Sequence, residues 1–136
     1  MLNENDIINR LQSYFKKNYK IKKFSKTNER GVDLIVENID SGIQMLIEVK
    51  GETSSKPNSS RYGKPFSNSQ VRTHIAEAVL TALKVVSNVE NGNHVLAGIA
   101  LPDTELHIRH IKKVRSALKK LKVKIFWVSK NGVREE

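Results

Sequence analysis

Two runs of alternating residues, separated by three turn-formers, constrain this chain more than any other feature. Val32 to Ile39 is rich in β-branched residues, Asp40-Ser41-Gly42 interrupts it, and Ile43 to Lys50 resumes the pattern. Side chains alternate between faces along a strand, so each run sorts into two sets. In the second run Ile43, Met45, Ile47 and Val49 form an apolar face, opposite Gln44, Leu46, Glu48 and Lys50. In the first, Val32, Leu34 and Val36 stand opposite Asp33, Ile35 and Glu37. The pattern predicts a β-hairpin. Turning both apolar faces to the core sets Asp33 on the same face as Glu48 and Lys50, because a one-residue slip would expose every apolar side chain. A turn at Asp40-Ser41 places Asp33 opposite Glu48, and one at Ser41-Gly42 places it opposite Lys50.

The remaining segments fill in a layered architecture. Ile7, Ile8, Leu11, Tyr14 and Phe15 recur at helical spacing from Asn3 to about Lys17, with Asn3 as the candidate cap. Tyr19 to Phe24 reads as an edge strand, and Glu29-Arg30-Gly31 as a turn. Residues 51–69 hold Gly, Ser, Asn and most of the prolines without apolar periodicity, which predicts a long, flexible, exposed loop. A second helix is expected over Ser69 to Val86, capped by Asn68 or Ser67, then a buried strand from His94 to Leu101. A single helix from Thr104 to Leu121 and a last strand from Val123 to Val128 complete the order, before an Asn131-Gly132 turn. Strands alternating with helices in this way predict an α/β fold, a central mixed sheet flanked by helices.

At 136 residues the chain is expected to form one domain, 1–136. It has no cysteine, which excludes disulfides and thiolate metal sites. No apolar run approaches membrane-spanning length, and the amino terminus lacks a secretory pattern, so the sequence reading expects a cytoplasmic protein with no membrane partner. Its 24 Lys and Arg against 14 Asp and Glu give a formal charge of +10, which points to a polyanion as partner. The bases cluster in Lys16 to Lys26, Arg61 to Arg72 and Arg109 to Lys124.

Carboxylates crowded on one sheet face repel, so something must offset the arrangement. A hard divalent cation does so: magnesium takes one or two protein carboxylates and keeps several waters. Lys50, two residues after Glu48, points to the same place and is suited to steady an attacking water or a developing phosphorane charge.

The stretch Gly31-Val32-Asp33-Leu34, a turn, and Ile47-Glu48-Val49-Lys50-Gly51 resembles the PD-(D/E)XK signature, with Val32 where many members have proline. The helix after the hairpin, the strand Ala97 to Leu101, another helix and Val123 to Val128 extend the resemblance over nearly the whole chain. The resemblance implies the restriction-endonuclease-like three-layer α/β/α fold and a metal-dependent DNA nuclease, an endonuclease in preference to an exonuclease, using Mg2+ or Mn2+. Asp33 and Glu48 would be metal ligands, the Val49 carbonyl a third, and Lys50 the catalytic lysine. A glutamate from the first helix in many relatives matches Glu4 better than Asp6. A catalytic glutamine of some relatives matches Gln70, with His74 one turn later. Pairing as a homodimer is implied by relatives of similar size.

Lys56, Arg61, Lys64 and Arg72 are the expected nucleic-acid contacts, with Tyr62 and Phe66 as aromatics for stacking on bases. Glu52 reads either as a loop residue or as an acid behind the metal ligands. His94, His107 and His110 lack zinc spacing, and Trp127 reads as core. The alternative function is a non-catalytic DNA-binding or assembly module with a nuclease-like fold. An RNA-binding protein using only its basic surface is a third.

Overall fold

The computed structural model describes residues 1–24, 31–88 and 95–136. Helix α1 (Glu4–Phe15) leads into β1 (Tyr19–Phe24), β2 (Leu34–Asn38) and β3 (Gln44–Val49). Then follow α2 (Asn68–Ser87), β4 (Val95–Pro102), α3 (Glu105–Lys112), α4 (Arg115–Lys120), β5 (Lys124–Ser129) and β6 (Gly132–Glu135). The six strands lie in sequence order in one sheet. β1, β2 and β3 pair antiparallel, β3, β4 and β5 pair parallel, and β6 returns antiparallel to β5. Among the described residues no helix is long and apolar enough to cross a membrane.

The sheet carries a core on each face. On one side Leu34, Val36, Met45, Ile47 and Val49 pack against Ile7, Ile8, Leu11 and Phe15 of α1. On the other, Ala97, Ile99, Leu101, Ile125 and Trp127 pack against Val71, Ile75, Ala78 and Ala82 of α2, Ile111 of α3 and Leu118 of α4. β4 is buried on both faces, as its apolar run requires. Trp127 is fully buried, with its indole N–H donating to Glu136.

The hairpin pairs Leu34 with Ile47 and Val36 with Met45, the register expected of a turn at Asp40-Ser41. Its connection is wider than a two-residue turn. The Asn38 side chain accepts from the Asp40 and Ser41 N–H groups, and Gly42, at φ 72°, donates back to the Asn38 carbonyl. Gly42 supplies the left-handed conformation that lets the longer loop close on the same register.

Two expectations need correction. The helix expected from Thr104 to Leu121 is broken: Lys113 and Val114 make i→i−3 hydrogen bonds that close α3, and Val114 leaves the helical region at φ −125°, ψ 3°. The break bends the path so that Ile111 and Leu118 both reach the sheet. The Asn131-Gly132 turn is not the end of the structure either. It feeds β6, an edge strand whose one apolar residue, Val133, gives no alternation to read. The proposed Glu29-Arg30 turn and the start of a strand at His94 lie outside the described residues.

A candidate active site at the open end of the hairpin

The site is built where β3 runs past the end of β2. Asp33, one residue before β2, donates its N–H to the Ile47 carbonyl at 3.2 Å, and its carboxylate acts directly on Glu48. Asp33 is nearly buried, at 9% exposure, and one carboxylate oxygen accepts the Val49 N–H at 2.8 Å. The side chain thus takes the place of a ladder carbonyl and is fixed by the strand it faces. In a strand the N–H and C=O of one residue leave on the same side. The Val49 carbonyl therefore leaves toward β2 as well, beside Asp33, while Lys50 N–H turns the other way to Ala100 of β4 at 3.1 Å.

Glu48 and Lys50 stand on the α2 face of β3, and Lys50 Nζ lies 3.9 Å from Glu48 and 3.3 Å from Glu77 of α2. The two alkyl stems are buried to similar depth, with side-chain exposures of 12% for Lys50 and 14% for Glu48. Burial, then the charge of Asp33, pushes the Glu48 carboxyl up to about 8, against the pull of Lys50. Glu4 belongs to the same cluster. Burial and then Asp33 raise it to about 7, with Lys50 and Lys56 acting to lower it. Asp6, the other acid of α1, is committed elsewhere: it closes the capping box with Asn3, accepting the Asn3 N–H at 3.0 Å.

Gly51 explains how Glu4 reaches the hairpin. A Cβ on Gly51 would lie 2.7 Å from the Glu4 backbone nitrogen and 2.8 Å from the Asn3 carbonyl carbon. Only a residue without a side chain lets the start of α1 sit directly on the chain leaving β3. Glu52 N–H then donates to the Leu2 carbonyl at 2.9 Å and pins the approach.

Residues 51–67 form a loop knit to itself. Thr53 Oγ1 donates to the Arg61 carbonyl at 2.7 Å, Phe66 N–H to the Glu52 carbonyl at 3.0 Å, and Ser54 bridges Tyr62. Lys56, Lys64 and Tyr62 are exposed on it, and the Arg61 guanidinium reaches the Pro65 carbonyl. Phe66 does not present its ring to solvent as a stacking platform. It packs inward, 4.5 Å from the His74 ring and at the edge of the α2 core. Arg72 lies toward α3 and is one of the charges that lower the His110 pKa, after burial, Lys113 and Arg109.

Gln70 sits at the third position of α2, where its carbonyl accepts the Ser67 N–H at 2.9 Å while Ser67 Oγ accepts the Gln70 N–H. Its side chain is thus held in the helix cap. One turn on, the His74 Nδ1 is buried without a hydrogen-bond partner among the described residues. Burial first and Lys50 second lower its pKa, so the imidazole faces the site uncharged. His107 is a core residue, with Nδ1 2.6 Å from Thr104 Oγ1 and its pKa pushed down to about 4 by burial.

Glu77 is the site residue that sequence reasoning missed. Gln70, His74 and Glu77 follow one another at i+4 and i+3 on a single helical stripe, and that spacing was the available signal. Sequence reasoning also passed over Lys20 and Lys23. The β1–β2 register sets Lys20 against Glu37 and Lys23 against Ile35, which places both bases on the face of β2 that carries Asp33.

Among the described residues no three His, Asp or Glu side chains close a metal cage by themselves. The oxygens brought together are the carboxylates of Asp33, Glu48 and Glu4, with the Val49 carbonyl on the Asp33 side of β3. An all-oxygen set suits magnesium or manganese better than zinc. Burial first, and Asp33 second, raise Glu4 and Glu48 by more than Lys50 lowers them.

No protein-family model, curated protein or solved structure matches the chain.

Proposed function

We propose that the protein is a metal-dependent nuclease that hydrolyses phosphodiester bonds in DNA, an endonuclease of the PD-(D/E)XK kind with the restriction-endonuclease-like fold. The observation that carries this reading is the convergence of Asp33, Glu48 and Lys50 at the open end of the hairpin. A module needing only a basic surface has no reason to crowd carboxylates onto one sheet face at a cost in repulsion.

A bound magnesium or manganese ion would neutralise phosphate charge and lower the pKa of its water. The chain's own groups do the rest. Asp33, fixed against the Val49 N–H, and Glu48 would supply the anionic donors, with the Val49 carbonyl as a third. Lys50, steadied by Glu77, places an ammonium beside Glu48, where it holds the attacking water or stabilises charge developing on the phosphorus oxygens. His74, near Lys50 and Glu77 and without an Nδ1 partner among the described residues, has its pKa lowered by burial and so opposes added positive charge there. Lys56, whose charge acts on Glu4, shares its loop with Arg61 and Lys64, and with Lys23 beside Ile35 these cations would hold the phosphate backbone without reading bases.

The test is conversion of supercoiled plasmid and cleavage of a branched-DNA panel with magnesium or manganese, comparing wild type with Lys50→Ala and Asp33→Ala. Metal-dependent cutting lost in both variants is the expected result. Binding without cutting, equal in all three proteins, would favour the non-catalytic DNA-binding module.

A further inference from the structure

A cleft of about 510 Å3 opens directly beside Glu48, between the hairpin and the C-terminal half of α2. Glu48 and Leu46, successive residues on one face of β3, form its floor, with Val95 at the start of β4 behind them. Thr81, Lys84, Val85 and Asn88 form the wall, spaced along one side of α2. Gly31 and Val32, immediately before Asp33, complete the described lining.

The lining divides by chemistry. Leu46, Val85 and Val95 offer an apolar slot, suited to the faces of a planar ring system. The Thr81 hydroxyl and the Asn88 amide supply donors and acceptors at the slot's edge, as a heterocycle's polar rim requires. Lys84 brings a cation to a cleft whose one acid among the described residues, Glu48, belongs to the cluster with Asp33. The volume falls within the roughly 300–1,000 Å3 of small-molecule pockets and so admits one nucleoside.

We infer that this cleft is a nucleoside subsite. It holds the base and sugar on one side of the phosphate at Asp33 and Glu48, with Lys84 on the next phosphate along the strand. The inference rests on the hydrolytic reading, because that reading puts a phosphate at Glu48. A base in this slot has left its stack, so the strand taken would be single-stranded, frayed or distorted at the cut in preference to regular duplex. That gives the active site a substrate class which the basic loop, gripping only backbone, does not define.

The experiment follows backbone amides by NMR while deoxyadenosine 5′-monophosphate is titrated into the intact protein, with deoxyribose 5-phosphate and inorganic phosphate as comparisons. The mononucleotide is expected to shift Thr81, Val85 and Asn88 saturably. Deoxyribose 5-phosphate should bind roughly tenfold more weakly, or less, for want of the base. Thr81→Trp, which fills the slot, should abolish those shifts. Should that helix variant fold poorly, Asn88→Ala, at the exposed end of α2 and on the base's polar rim, should weaken the mononucleotide several-fold. Equal binding of mononucleotide and sugar phosphate, or shifts confined to the 51–67 loop, would overturn the subsite. Base-dependent shifts at α2 in a protein that cuts no DNA would support the subsite and sink hydrolysis. Cutting without such shifts would sink the subsite alone.

Discussion

Gly51 and Glu4 touch backbone to backbone: a Cβ at position 51 would come within 2.7 Å of the Glu4 nitrogen. The neighbouring backbone cannot swing aside as a flexible side chain would. Gly51→Ala is therefore expected to lower stability by about 1–3 kcal/mol, as overpacking of a tight contact does. It should also push α1 away from the hairpin and so withdraw Glu4. Thermal unfolding and single-turnover cleavage at a temperature where the variant is fully folded would separate the two effects. A variant with wild-type melting temperature and rate would refute this role for the glycine.

The ion pair of Lys50 with Glu77 predicts a graded result. Lys50→Ala removes the cation beside Glu48 and should lower the cleavage rate by roughly 10²–10³-fold. Glu77→Gln keeps that cation and removes only an anchor that is 57% exposed, so the loss should be below about tenfold. Equal losses in the two variants would mean that Glu77 contributes more than positioning.

Stability against pH should rise and then fall. His107, held near 4 by burial against an ordinary 6.5, favours the neutral ring in the fold. Its contribution is present above about 6.5 and is lost as pH falls through about 4. Glu48, raised to about 8, and Glu4, raised to about 7, act in the opposite direction. Their protonated forms suit the fold, so their contribution is present below the ordinary 4.5 and disappears as pH climbs through 7 and 8. Metal-free protein should therefore melt highest at about pH 4–5, because above that the two carboxyls lose more stability than the one imidazole gains, and Glu48→Gln should flatten the alkaline side. Magnesium should raise the melting temperature more at pH 8 than at pH 6. A curve still rising from pH 7 to 9 without metal would contradict the assignment.

The backbone grip is separable from the chemistry. Replacing Lys56 or Lys64 by Ala should weaken duplex binding without regard to sequence and reduce the slope of log K against log salt by about 0.9 per lost phosphate contact. Fluorescence anisotropy across a salt series measures that slope. An unchanged slope in both variants would remove the loop from the interface.

The parts of this fold that sequence made legible are those with a short period and a buried face. The hairpin faces were readable because a slip by one residue would have turned Leu34, Ile47 and Val49 out of the core. Glu77 was not, since a lone acid on a helix looks like solvation until Lys50 is placed beside it. The α3 break at Val114 leaves no proline or glycine to mark it, and β6 lacks the alternation that identifies a strand. Gly51 followed the motif in plain sight, but only the approach of α1 reveals why its hydrogen matters. Gln70 was found at the right end of the right helix, where the structure uses its carbonyl to cap Ser67.

In the proposed function Asp33, Glu48 and Lys50 cut DNA with a divalent ion. The most direct measurement is single-turnover cleavage of end-labelled branched DNA over a magnesium titration, for wild type and Lys50→Ala, with DNA affinity measured separately in EDTA. The account predicts a wild-type rate that rises to saturation with magnesium, and a variant that binds with like affinity yet cuts at least roughly 10²-fold more slowly. A wild type that binds the same DNA but yields no magnesium-dependent product would contradict it.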